Sequence, residues 1–316
     1  MRFSSFQRLA AWTTATTYFL ILVGGLVRAS GAGLGCPDWP RCFGGWIPPA
    51  SAADLPPQFD PALFNPTLMW TEYLNRLLGV TVGFLILATT ISAWRHHRRE
   101  PRILWTTVAA FLLVGFEGWL GGRVVAHGLA PWIVTAHLMV ALVIVQLLLY
   151  ATFVASVGGA SGASGASGAV AVLIGVTLLQ VGFGTQVRGG VDAAIDAGLP
   201  RNLALGTVGR LDFLHRDLAF VVLVGATLLA LWLFLRRLPT DLSAEAQRAK
   251  VEARGAKAGS ALVSWSWVVL ALALSQVALG IFMAYGSLLP AAQVAHLTLA
   301  SLLLGAETVL WLLSRR

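Results

Sequence analysis

Four of the six histidines, His127, His137, His215 and His296, fall within or beside long apolar stretches, while His96 and His97 sit in the basic run RHHRRE. The last two read as solvated loop residues. An ionisable side chain at membrane depth costs roughly 2.5–3.5 kcal/mol on insertion scales, so the other four are candidates for chemistry. His215 and His296 stand at similar depth near the starts of two apolar segments. Two imidazoles facing each other across a helix bundle can supply both axial bonds to a heme iron. The bland alternative is a pair of histidines hydrogen-bonded to neighbouring helices, and their repeat-related places favour ligation. His127, beside Gly128 and before Pro131, reads as a surface residue.

Arg216 follows His215, and Arg188 lies at the same level. Both guanidinium groups suit the propionate carboxylates of a heme, against the alternative of snorkelling to the interface. The first half keeps His137, but Asn75 stands where the second half has His215. Asn is a poor iron ligand, so a heme bound here is held by one His and keeps a coordination position open. Glu72 precedes Asn75 by one helical turn, shares its face and points toward the same site. A carboxylate there can deliver protons or bind water; otherwise it is a satisfied interfacial acid. Glu117 has no charged partner evident in the sequence, and either joins a proton path or stays protonated and hydrogen-bonded. Cys36 and Cys42 flank Pro-Asp-Trp-Pro-Arg with no neighbouring His, which does not make a closed zinc site.

The elements that must hold these residues are membrane helices. Of 316 residues, 57% are hydrophobic and 11% charged, with a mean hydropathy of +0.76. Soluble domains carry about 25% charged residues, so a soluble enzyme, a secreted disulfide scaffold and a disordered chain are excluded. Eight apolar segments are long enough to span, near 9–29, 70–93, 103–123, 132–154, 169–188, 212–235, 260–284 and 289–313. They are continuous runs rather than ten-residue alternations, so helices are expected, not a barrel. The first segment is too long for a signal h-region and reads as a retained helix.

The net charge of +8 comes from basic residues clustered at segment ends, so it sets topology and does not mark a nucleic-acid surface. Of the 22 Lys and Arg, 14 fall at the termini and in alternate loops on one side. The positive-inside rule assigns that side, and both termini, to the cytoplasm. Cys36 and Cys42 then face the oxidising side, which permits a disulfide. They staple the first external loop or act as a redox relay, the staple being the expectation.

The halves look like copies. Gly24–Arg28 (GGLVR) matches Gly184–Arg188 (GTQVR), EYLNR from Glu72 matches DFLHR from Asp212, and Pro131 with His137 matches Pro290 with His296. The offsets are 160, 140 and 159, so the first external loop is 20 residues longer than its counterpart. With an even number of segments in each half, the repeats are parallel, related by an axis along the membrane normal. The expected fold is therefore all-α and integral to the membrane, as two repeat-related four-helix bundles. Residues 1–155 form the first bundle, the Gly/Ala/Ser stretch 156–168 a flexible linker and 169–316 the second bundle. The polar segment 238–259 is expected to be a cytoplasmic loop with some helix.

Taken together, these residues resemble the heme A synthase family. The stretch Gly24–Cys42 reads GGLVRASGAGLGCPDWPRC, and is followed by EYLNR, AHL in the fourth segment, FLHR and a second AHL in the eighth. The loop motif GLGCPDWP is quite specific. The resemblance implies a membrane oxidoreductase of cytochrome oxidase assembly that converts heme O to heme A. The C8 methyl of the porphyrin becomes a formyl group by hydroxylation and loss of water from a gem-diol.

A heme b cofactor is implied on His215 and His296, with Arg188 and Arg216 at its propionates. The first half is implied to take heme O as substrate through His137, Asn75, Arg28 and Arg76, with Glu72 as the catalytic residue. The iron-binding residues are then His137, His215 and His296. Implied partners are heme O, heme O synthase, oxidase assembly factors and the lipid of the cell membrane. Two departures stand out: many members have His in place of Asn75, and some carry a second cysteine pair where 189–211 has none. The competing readings are a diheme electron carrier and a heme transporter or chaperone. Asymmetric ligation argues against a simple electron wire.

Overall fold

The computed structural model describes residues 4–157, 165–236 and 252–315. Eight long helices dominate: α1 (Ser5–Ala29), α2 (Pro66–His96), α3 (Pro101–Ala126), α4 (Pro131–Val157), α5 (Gly165–Asp196), α6 (Arg210–Leu235), α7 (Glu252–Ile281) and α8 (Pro290–Ser314). Each contains a stretch long and apolar enough to cross a membrane, and no strand occurs among the described residues. The protein is an all-helical integral membrane protein, as its composition requires.

Local chemistry sets the helix starts. Ser4 accepts the Gln7 N–H while the Gln7 side chain accepts the Ser4 N–H, a reciprocal cap on α1. Pro66, Pro101 and Pro290 open α2, α3 and α8, where a missing N–H costs nothing and φ is already helical. Within the helices, buried threonines return their hydroxyls to the preceding turn, as Thr13 does to Leu9 O (2.9 Å) and Thr17 to Thr13 O (2.8 Å). That keeps polar groups satisfied where no water reaches them.

Two boundaries differ from expectation. The Gly/Ala/Ser stretch is helical from Gly165, because Ala166 and Val170 pack into the core of the second half and small residues allow close helix approach. The fifth segment does not stop at Arg188, since α5 continues to Asp196. Residues 189–196 are therefore helix, not loop. Apolar character ends at the first charge, but the helix continues because Arg188 pairs with Asp192 one turn later (2.6 Å). The rest of the linker, 158–164, and residues 238–251 of the polar segment lie outside the described residues; the polar segment is helical from Glu252.

Helices α1–α4 pack as a ring in which α1 and α3 each touch α2 and α4. In the same way α5 and α7 each touch α6 and α8. The rings meet where α1 lies on α8, α4 on α5 and α4 on α8, sealed by Ile21, Leu142, Val145, Val181, Ala300 and Leu304. In α8, 61% of the apolar window is buried inside the protein, against 22–39% in the other helices. It is a shared wall.

Residues 30–65 form a folded cap over one end of the first ring. Cys36 and Cys42 are joined by a disulfide, packed with Phe43 and Met69 and flanked by Phe59 and Phe64. Phe43 and Gly44 take positive φ (53° and 79°), and the Asp38 carboxylate accepts both their N–H groups at 2.6 and 2.9 Å. Asp38 thereby holds a turn that a non-glycine residue seldom adopts.

Candidate functional site

All the expected site residues lie toward the end of the molecule that carries the cysteine cap. In the second half, His215 of α6 and His296 of α8 face each other with ring centres 6.3 Å apart and planes at 70°. Two imidazoles on one metal need about 2.1 Å per metal–nitrogen bond and about 1.1 Å more to each ring centre, or about 6.4 Å in all. The spacing fits. The Nδ1 of His215 donates to Gln180 O at 3.0 Å, which leaves its Nε2 for a ligand. The Nδ1 of His296 is buried with no hydrogen-bond partner, while Gln276 donates its amide to the His296 carbonyl at 2.7 Å.

Each ring rests against a glycine of a neighbouring helix. A Cβ at Gly184 would stand 2.8 Å from His215 Cε1, one at Gly280 would stand 3.6 Å from His296 Cε1, and one at Gly121 would stand 3.4 Å from His137 Cε1. These seats escape a reading of the chain that looks only for reactive side chains. Their signal is a spacing, because Gly121 and Gly280 share the 159-residue offset of His137 and His296.

Charged groups surround this level. Arg216 forks onto Asp212 at 3.0 and 2.6 Å and reaches the Tyr285 hydroxyl at 3.1 Å. Asp192, absent from the expected set, serves two arginines: Arg188 at 2.6 Å and Arg28 at 3.2 Å. Those two stand 160 residues apart, one in each ring of helices.

In the first half, His137 of α4 meets a partner that the sequence does not reveal. Its Nδ1 lies 3.1 Å from Glu117 Oε1 of α3, at ion-pair distance without hydrogen-bond alignment. The Asn75 Oδ1 is buried with no partner. A Cβ at Gly24, which stands 160 residues before Gly184, would meet nothing within 4 Å. No ring rests on Gly24 as the His215 ring rests on Gly184.

Glu72 is buried, and one oxygen accepts the Cys36 N–H at 2.7 Å. The other meets Arg76 Nε at 3.1 Å and Nη2 at 2.5 Å. Arg76 spends its remaining donors on Cys36 O (3.0 Å), Asp38 O (2.7 Å) and Arg41 O (2.8 Å). All five of its N–H groups are used. Glu72 and Arg76 therefore tie α2 to the cysteine cap. His127 lies away from these clusters, with Nδ1 on Arg123 O at 2.9 Å and its ring against Trp132. His97 pairs with Glu100 at 2.8 Å at the opposite end.

Several known proteins resemble this chain. The heme A synthase of Shewanella oneidensis is 32% identical over 143 residues, which cover 43% of this chain and 42% of that protein. That of Geobacillus kaustophilus is 34% identical over 124 residues, covering 39% and 34%. That of Sinorhizobium fredii is 25% identical over 208 residues, covering 58% and 55%. The matched stretches span from a third to little more than half of these relatives' lengths. A family model described as cytochrome oxidase assembly protein matches residues 7–308, from within α1 to within α8. With nearly its whole length matched, the chain belongs to the COX15-CtaA family of cytochrome oxidase assembly proteins.

Proposed function

We propose that this protein oxidises the C8 methyl of heme O to a formyl group, giving heme A for cytochrome oxidase. The observation that carries the reading is the asymmetry of the two histidine sites. The second half offers paired imidazoles at the spacing of a doubly ligated iron. The first offers His137 alone, with Asn75 where the second imidazole would be. A closed site suits a resident heme b, and an open one suits a substrate heme.

On this reading His215 and His296 hold heme b, whose chemistry when bound is to pass electrons. Arg188 and Arg216 would hold its propionates as fork donors. His137 holds heme O, with Asn75, Arg28 and Arg76 around it. The substrate methyl would be oxidised in two successive two-electron steps, each replacing a C–H by a C–OH at the expense of an external oxidant such as dioxygen. The resulting gem-diol would lose water to leave the aldehyde. Glu72 is the acid–base group at the reaction site. The Cys36 N–H and Arg76 keep its carboxylate in place, and the cap shields the site from water.

The halves form two four-helix units about an axis along the membrane normal. Both termini are on the cytoplasmic side of the cell membrane and the cysteine cap is outside. Heme O synthase and oxidase assembly factors are the expected partners. Expression in a host that makes heme O but no heme A tests the reading. Heme A should appear in extracted pigments, together with heme b. Heme b alone in both sites would favour an electron carrier instead.

A further inference from the structure

The two halves differ at a second place besides Asn75. His137 with His296, Gly121 with Gly280 and Glu117 with Gln276 all share one offset of 159 residues. In the second half neither imidazole has a carboxylate at its Nδ1. His215 donates Nδ1–H to a backbone carbonyl, and the Gln276 amide binds the His296 carbonyl, not its ring. In the first half the equivalent side chain is a carboxylate, 3.1 Å from the Nδ1 of His137.

Glu117 is well placed to serve that ring and little else. Its side chain is 13% exposed, and its Oε2 is buried with no partner. His137 is the only charged or ionisable group that pairs with it among the described residues. It lies one helical turn from Gly121, the seat of the same imidazole. Contact distance is already reached, and rotation of the ring supplies alignment.

We propose that Glu117 is the positioning residue of the substrate site, accepting Nδ1–H from His137. This fixes Nε2 as the nitrogen that faces the substrate iron and makes it a stronger donor. The proposal rests on reading His137 as the substrate ligand. A hydrogen bond to a charged acceptor is about twice as strong as a neutral one. Carboxylates behind ligating histidines set the tautomer and raise ligand basicity. An electron-rich bond on one face and an open position on the other suit oxidation, whereas two imidazoles with no carboxylate at Nδ1 suit electron transfer. One duplicated plan thereby gains two chemistries from two substitutions per pocket.

The test uses purified protein loaded with heme O, reduced and examined by resonance Raman for the iron–imidazole stretching band. Glu117→Gln should lower that frequency and weaken heme O binding about tenfold, while the low-spin signal of the other half stays unchanged. Glu117→Asp should restore the frequency toward wild type, which a purely structural role would not do. An unchanged band in Glu117→Gln with heme O bound would overturn the proposal. If Glu117→Gln does not fold, Glu117→Ala removes the carboxylate in its place, and an unchanged band there with heme O bound overturns the proposal equally. His137→Ala separates the layers: normal heme O binding there would remove the site reading, and Glu117's role with it.

Discussion

At Gly184 and Gly280 a single methyl group should have unequal effects, because the two seats differ in clearance. A Cβ placed 2.8 Å from His215 Cε1 must displace the ring, whereas 3.6 Å at His296 is ordinary contact. Gly184→Ala is expected to lose or broaden the low-spin heme spectrum, and Gly280→Ala to keep it. Equal spectra would mean that the seats do not set the ring positions. Glu72→Gln should abolish heme A formation, measured by pigment extraction, while heme b in the other half stays intact. The amide also weakens the link to Arg76, at a cost of about 1–3 kcal/mol for a buried group left unpaired. Retained synthesis would leave Glu72 a purely structural tie.

The reactive side chains were legible one at a time, because an acid, an imidazole or a cysteine in a long apolar stretch already calls for an explanation. Their partners were not. Glu117 and Asp192 meet His137 and Arg28 across helices, and a linear sequence shows no such neighbours unless the repeat is used to compare halves.

Among the elements, the cysteine cap does the most with the fewest residues. Arg76 joins it to α2 through three carbonyls, and the Cys36 N–H binds Glu72. The disulfide closes a short loop, worth about 2 kcal/mol on chain-entropy grounds. Replacing both cysteines by Ser should lower the thermal midpoint and speed proteolysis within 30–65. Heme A formation should fall with it, because Glu72 loses a fixed donor. Thiol labelling of the wild-type protein should require prior reduction; full labelling without it would contradict the bond. The helices themselves were legible from hydropathy, since a bilayer demands long apolar stretches. The ends of α5 were not, because Ala166 and Arg188 stay helical through contacts with partners that hydropathy does not register.

For the whole molecule, the helix contacts between the two rings are few and specific. α1 lies on α8, α5 lies on α4, and α4 meets α8. Each proposed pocket also draws its iron ligands from one ring alone: His137 from α4, or His215 and His296 from α6 and α8. The seam between the rings carries Ile21, Leu142, Val181 and Leu304, with no proposed ligand among them. Covalent continuity is then a convenience of stoichiometry. Two polypeptides, ending at Val157 and starting at Gly165, should complement each other when made in one membrane. They should co-purify as a pair and restore heme A, while either fragment made by itself would present α8's or α4's seam face to lipid and invite self-pairing into a dimer of identical halves.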